Sequence, residues 1–118
     1  KPLRIYCIED NPLIVFHIEH LIEEAGHVLA GFADSFSQLT ADPAAIDIDG
    51  ALVDIDLADG RTGPDAAAWL KERGIPSIFV TGQQDIANLY ADRVVGVITK
   101  PIVAEDFADK VQRLEGRT

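Results

Sequence analysis

Five short apolar runs, rich in Val, Ile and Leu, alternate along the chain with amphipathic segments. Runs of this length are typical of buried strands, and their alternation with amphipathic segments is typical of βαβ units around a parallel sheet. The pattern predicts an α/β fold: a single doubly wound (βα)5 domain with helices on both faces of a five-stranded parallel sheet. The predicted strands are Leu3–Ile8, Val28–Phe32, Gly50–Ile55, Ser77–Thr81 and Val94–Thr99.

The first helix has the clearest start and stop signals. Asn11 can cap it with Pro12 in the first position, and apolar residues then recur on one face until Gly26 ends it. The second helix is interrupted by Asp42-Pro43, because proline cannot continue a helix. The later helices are predicted at Ser35–Thr40, Pro64–Arg73, Gln84–Asp92 and Val103–Leu114.

Composition narrows the class of protein. With 118 residues, 47% of them apolar, the chain fits one compact domain over 1–118, with no output domain. The formal net charge of -10 opposes direct binding to nucleic acid. No apolar stretch is long enough to cross a membrane, and a single cysteine, Cys7, fits a reducing compartment. We therefore expect a cytoplasmic protein that contacts neither nucleic acid nor a membrane.

Charged and hydroxyl side chains cluster where the predicted strands end, which is where open α/β sheets bind ligands. Three carboxylates held together on neighbouring strands repel one another unless a cation lies among them, and Mg²⁺ prefers such oxygen ligands together with a phosphate. A nearby hydroxyl and ammonium suit the oxygens of a phosphoryl group, which makes Asp54 a candidate nucleophile. The residues at the strand ends are Glu9, Asp10, Asp54, Thr81 and Lys100.

Together these segments resemble the receiver domain of two-component response regulators, and the resemblance covers essentially the whole chain. An acidic pair, an aspartate near the end of strand three, a threonine at the end of strand four and Lys-Pro at the end of strand five occur in that family's order and spacing. The segments are Ile8-Glu9-Asp10-Asn11, Ala51-Leu52-Val53-Asp54-Ile55-Asp56-Leu57, Phe79-Val80-Thr81-Gly82 and Ile98-Thr99-Lys100-Pro101. The resemblance implies the strand order 2-1-3-4-5.

The same resemblance implies roles for individual residues. Asp54 would accept a phosphoryl group, with Thr81 and Lys100 contacting its oxygens. Glu9, Asp10, Asp54 and the backbone carbonyl of Asp56 would hold Mg²⁺ or another divalent cation such as Mn²⁺. The receiver would catalyse its own phosphorylation and dephosphorylation, without an independent metabolic activity.

The resemblance also implies partners. The phosphoryl donor would be a sensor histidine kinase or a histidine phosphotransfer protein, and the phosphorylated form would regulate a downstream effector or output module. The flank of the first helix that carries Leu13, His17 and His20 would dock the kinase, together with Lys100-Pro101-Ile102. A homodimer through the last two helices is a further expectation. One position departs from many receivers: Val97 replaces an aromatic residue whose inward movement accompanies the movement of the threonine hydroxyl toward the phosphate.

Two other functions remain open. Asp54-Ile55-Asp56 also resembles the Asp-x-Asp motif of haloacid-dehalogenase phosphatases, which share the aspartyl-phosphate intermediate. That family places its metal-binding acidic pair downstream, whereas the downstream pair Glu105-Asp106 here falls inside a predicted helix. The second alternative is a pseudo-receiver that binds partners without phosphorylation, although Asp54, Thr81 and Lys100 are all present.

Overall fold

The computed structural model describes residues 2–115 and shows five strands and five α-helices in strict alternation. The strands are β1 (Arg4–Ile8), β2 (Val28–Ala33), β3 (Gly50–Val53), β4 (Ser77–Thr81) and β5 (Gly96–Thr99). The α-helices are α1 (Pro12–Glu24), α2 (Phe36–Ala41), α3 (Gly63–Glu72), α4 (Gln84–Leu89) and α5 (Ala104–Glu115). The predicted (βα)5 fold is confirmed.

The strands form one parallel sheet in the order β2-β1-β3-β4-β5, as expected. Because successive strand residues face opposite sides, the sheet divides the core into two clusters. One cluster packs α1 and α5 against Ile5, Cys7 and Leu52, and the other packs α2, α3 and α4 against Tyr6 and Val53. Helices therefore cover both faces of the sheet.

The start and stop signals predicted for the first helix are present in the structure. The Asn11 side chain accepts a hydrogen bond from the backbone N–H of Leu13, and Pro12 is the first residue of α1. Gly26, two residues beyond the helix, has a φ of 87°, which favours glycine. The predicted interruption at Pro43 is also present, because α2 ends before it and a short 3-10 helix, Pro43–Ile46, follows.

Several predicted boundaries were wrong by a few residues. The third strand was expected to include Asp54 and Ile55 but ends at Val53, because the N–H of Ile55 bonds to the Asp54 carboxylate at 2.7 Å instead of to a neighbouring strand. The helix expected over Gln84–Asp92 ends at Leu89 and continues as a 3-10 turn, with the N–H of Tyr90 bonded to the carbonyl of Ala87.

The last strand begins two residues later than expected, at Gly96. The sequence also predicts a frayed end over 115–118; Glu115 is instead the last residue of α5, and 116–118 lie outside the described residues. Among residues 2–115 no helix combines the length and the apolar character needed to span a bilayer.

Candidate functional site

Backbone hydrogen bonds align the carboxyl ends of neighbouring strands. The N–H of Asp54 bonds to the carbonyl of Ile8 at 2.9 Å, so the residues after β1 and β3 lie side by side. At the ends of β4 and β5, the N–H of Lys100 bonds to the carbonyl of Thr81 at 2.9 Å. The parallel register therefore brings the side chains singled out in the sequence to one edge of the sheet.

Three of these side chains form a compact acidic cluster, which we define as Glu9, Asp10 and Asp54. One carboxylate oxygen of each lies within 4.8 Å of the other two. Lys100 lies beside the cluster: its Nζ donates to Glu9 Oε1 at 2.8 Å and to Asp54 Oδ2 at 3.0 Å. One ammonium thus offsets part of the charge of three carboxylates.

Burial sets the electrostatics of this cluster. Glu9 is only 3% exposed, and its burial raises the pKa of its carboxyl above the ordinary value, with a further contribution from the negative charge of Asp54 and an opposing one from Lys100. Burial by itself would lower the pKa of Lys100, but the hydrogen bonds to Glu9 and Asp54 outweigh it, so the pKa is raised. Lys100 therefore stays protonated at neutral pH.

The cluster has the chemistry that a hard divalent cation needs. Its donors are carboxylate oxygens, they are close together, and their charges are only partly balanced by Lys100. The side chain of Asp10 is exposed and makes no ion pair among residues 2–115. Glu9, Asp10 and Asp54 thus fit a magnesium site, whereas the role given to the backbone carbonyl of Asp56 stays a prediction.

Thr81 lies at the end of β4 with its side chain buried, and its hydroxyl accepts a hydrogen bond from the N–H of Gln83 at 3.0 Å. The Gln83 side chain donates to Asp56 Oδ2 at 2.6 Å, and Arg61 donates to Asp56 Oδ1 and to Gln83 Oε1, both at 3.1 Å. We call Asp56, Arg61 and Gln83 the loop bridge, because they join the β3–α3 loop to the β4–α4 loop.

Sequence reasoning missed the loop bridge. Its members lie on two loops, and no spacing in the chain indicates that these polar side chains meet. The Arg61 guanidinium holds the pKa of Asp56 below its usual range, so this carboxylate is ionised at neutral pH. The bridge therefore connects the turn after β3 to Thr81 through charged and amide hydrogen bonds.

Val97 and Tyr90 both pack, partly buried, against the core cluster of α2, α3 and α4. The guanidinium of Arg93 lies over the Tyr90 ring, 4.6 Å from its centre. The Tyr90 side chain therefore contributes to the packing on this face of the sheet. The downstream acidic pair of the phosphatase alternative lies in the first turn of α5, where Asp106 bonds to Lys110 at 2.9 Å.

The family model of the response regulator receiver domain matches residues 5–112. A curated relative, the phyllosphere-induced regulator PhyR of Methylorubrum extorquens, is 39% identical over 79 residues, which span 65% of this chain and 30% of that protein. The chain therefore spans less than a third of the length of that relative.

Solved structures agree with this match. The PhyR receiver domain of Erythrobacter litoralis superposes with a TM-score of 0.85 at 30% identity, covering 97% of this chain and 90% of that one. A structure described as anti-anti-sigma factor PhyR from Bartonella quintana has a TM-score of 0.84 at 26% identity, covering 98% of this chain and 48% of that one. Because the family model covers most of the chain and the fold agrees, this chain belongs to the response regulator receiver domain family.

Proposed function

We propose that this receiver accepts a phosphoryl group onto Asp54 from a phosphohistidine donor and passes the signal to a partner by a change in conformation. The observation that carries the proposal is the position of Lys100, whose Nζ contacts Glu9 and Asp54 at 2.8 and 3.0 Å at the edge of the acidic cluster. An ammonium in that position can stabilise the negative charge of an entering phosphoryl group.

In the proposed reaction a carboxylate oxygen of Asp54 attacks the phosphorus atom. A P–O bond forms, the P–N bond of the donor breaks, and the imidazole leaves with that electron pair and takes up a proton. Hydrolysis resets the signal: a water oxygen attacks the phosphorus, the P–O bond to Asp54 breaks, and free phosphate and the carboxylate are released. Lys100 balances charge in both steps, and the Thr81 hydroxyl donates to a phosphoryl oxygen.

Glu9, Asp10 and Asp54 would hold Mg²⁺. When bound, the cation offsets the repulsion between these carboxylates and the incoming phosphoryl group. Because Lys100 balances only part of that charge in the structure, we expect phosphorylation to require a divalent cation and to stop in chelator.

The loop bridge gives the signal a route out of the site. The Thr81 hydroxyl is bonded to the N–H of Gln83, and Gln83 is bonded to Asp56 and Arg61. A movement of this hydroxyl toward phosphorylated Asp54 would act on Gln83 first. In a receiver with Val97 at the usual aromatic position, we propose that the loop bridge is the part that responds.

The relatives support a signalling role for the whole protein. One of them is described as an anti-anti-sigma factor, a name that refers to action on other proteins. We propose, on that similarity, that the effector of this receiver is also a protein, and that the phosphoryl donor is a sensor histidine kinase or a histidine phosphotransfer protein.

The test combines Mg²⁺ with a small acyl phosphate and measures the intact mass of the protein. We expect a gain of one phosphoryl group in the wild type and in Asp85→Asn, a matched change at an exposed residue of α4, and none in Asp54→Asn. Generic phosphate esters, offered separately, should not be hydrolysed. Hydrolysis of the esters would favour the phosphatase, and the absence of both reactions would favour the pseudo-receiver.

A further inference from the structure

A groove of about 490 Å³ lies between α1 and the edge strand β2, and it ends at the acidic cluster. Its apolar lining is formed by Pro12, Val15 and Phe16 of α1 and by Leu29 and Phe32 of β2. The two phenylalanines are 73% and 62% exposed, respectively, although each is large and apolar. Two exposed aromatic side chains beside one groove are typical of a surface that binds another molecule.

An irregularity in β2 puts Phe32 on this side of the sheet. Leu29 pairs with Ile5 and Phe32 pairs with Cys7, and both partners belong to the core cluster under α1 and α5. Residues three apart on a regular strand face opposite sides, but the register of β1 against β2 shifts by one residue, at Ala30. This bulge returns Phe32 to the side of Leu29, so the groove has two apolar walls.

The rim of the groove is negatively charged. Asp10, Glu19 and Asp34 line it and make no ion pair among residues 2–115, and no Lys, Arg or His lines it. Glu9 also lines the groove, but it is paired with Lys100. A molecule that fits both the walls and the rim therefore has an apolar surface for the walls and positive charges next to that surface for the rim.

We propose that this groove binds a helical segment of a partner protein whose apolar stripe is flanked by Lys or Arg. The apolar stripe would cover Phe16 and Phe32, and the cationic side chains would reach Glu19 and Asp34, as in other complexes of an amphipathic helix with a groove. This interaction does not depend on phosphoryl transfer. It also uses a different flank of α1 from the one that carries Leu13, His17 and His20.

Charge decides against two other occupants. A second copy of this chain also carries a net charge of -10, and a symmetric pair through this groove would bring the two acidic rims together. The surface of an anionic membrane would be repelled for the same reason. A cationic helix is the partner that both features of the groove favour.

The test uses a fluorescently labelled synthetic peptide with Leu at i, i+3, i+4 and i+7 and Lys at the flanking positions, titrated with the full chain while anisotropy is recorded. We expect binding that weakens about tenfold or more in Phe32→Ser and in Phe16→Ser. The double variant Glu19→Gln/Asp34→Asn should bind less tightly and depend less on NaCl. A peptide with Glu in place of each Lys should bind at least about tenfold more weakly.

Two variants outside the groove serve as matched controls and should bind like the wild type. Leu89→Ser removes an exposed apolar side chain of α4, and Asp109→Asn removes an exposed charge of α5. Thermal unfolding checks that every variant folds. The proposal is overturned if the wild type does not bind the peptide, if the two phenylalanine variants bind as the wild type does, or if the reversed-charge peptide binds equally well. Sedimentation that shows a dimer lost in Phe32→Ser would assign the groove to a second copy and would also overturn it.

Discussion

At the scale of single residues, Gly63 shows how closely the backbone packs around the site. A Cβ at this position would overlap the carbonyl oxygen of Asp54 and lie 2.6 Å from the Cα of Ile55. Both are backbone atoms, which cannot move aside as a flexible side chain can. Glycine at this position therefore lets the first turn of α3 lie directly against the residue that we propose as phosphoacceptor.

We expect Gly63→Ala to lower the free energy of unfolding by about 1–3 kcal/mol, because the added methyl group forces the backbone of Asp54 or of α3 to shift. Urea denaturation measures this change. Gly82→Ala is the control, because a Cβ at Gly82 meets nothing within 4 Å. If the two variants are equally stable, an added methyl group does not strain the contact between Gly63 and the Asp54 backbone, and the prediction is wrong.

At the scale of elements, one pair of side chains links the α2–β3 connection to the sheet. Tyr6 on β1 is fully buried, and its hydroxyl donates to Asp42 Oδ2 at 2.7 Å. Asp42 also accepts from the N–H of Ala44 and so caps the 3-10 helix before β3. This pair holds the α2–β3 connection against β1.

The pair also makes stability depend on pH at alkaline values. Burial, followed by the hydrogen bond to Asp42, raises the pKa of Tyr6 well above its ordinary value. The contribution of Tyr6 is fully present below about pH 10, where the unfolded chain begins to ionise, and it is lost as pH rises further. We expect Tyr6→Phe to lose less stability above pH 10 than the wild type in urea denaturation.

The hydrogen bond to Tyr6 lowers the pKa of Asp42, so the contribution of this carboxylate is present above about pH 4 and lost as pH falls through the folded value. Tyr6→Phe should weaken that acid dependence too. Tyr90→Phe is the matched control, since the Tyr90 hydroxyl donates to no acceptor among residues 2–115. An unchanged alkaline profile in Tyr6→Phe would contradict the role of this hydroxyl.

The loop bridge is a second link between elements. Arg61→Ala removes one of its three members, and the side chain of Gln83 then keeps only its contact with Asp56. We expect faster amide hydrogen exchange at Gln83, by severalfold, because fewer contacts then hold this loop in place. Arg113→Ala, which changes an exposed arginine on α5, should leave exchange at this amide unchanged. If amide exchange is equally fast in the wild type and in Arg61→Ala, the loop bridge does not stabilise this loop.

At the scale of the whole molecule, negative charge is the dominant electrostatic feature. The net charge is -10. Three carboxylates meet at one edge of the sheet, and the ammonium group of Lys100 lies beside them. Like charges held together in the folded state oppose folding. A cation that binds only the folded chain should therefore stabilise the protein.

We expect added Mg²⁺ to raise the melting temperature at constant ionic strength, by an amount that grows with concentration and corresponds to about 2.7 kcal/mol at a hundred times the dissociation constant. Without Mg²⁺, Asp10→Asn should melt at a higher temperature than the wild type because one repelling charge is gone, and with Mg²⁺ it should gain little. Asp109→Asn should respond as the wild type does. A rise of the same size in NaCl of equal ionic strength would indicate screening only.

The sequence by itself determined the architecture and the residues at the candidate site. Strand and helix periodicity, the Asn11 cap and Gly26 are local signals, and parallel strands necessarily place their carboxyl ends at one edge. Glu9, Asp54, Thr81 and Lys100 could therefore be expected together before any contact was known. The strand order came from the resemblance to receivers, because periodicity alone does not say which strands are neighbours.

Tertiary structure alone decided the contacts between residues far apart in the chain. Lys100 pairs with Glu9 across 91 positions, Gln83 meets Asp56 across 27, and Gly63 approaches the Asp54 backbone because α3 packs there. The only sequence signal of the bulge that turns Phe32 toward α1 is Gly31 inside the strand pattern, and the bulge itself depends on the register of β2 against β1. Such contacts result from the packing of whole elements, whereas the sequence pattern reports only which face of each element is buried.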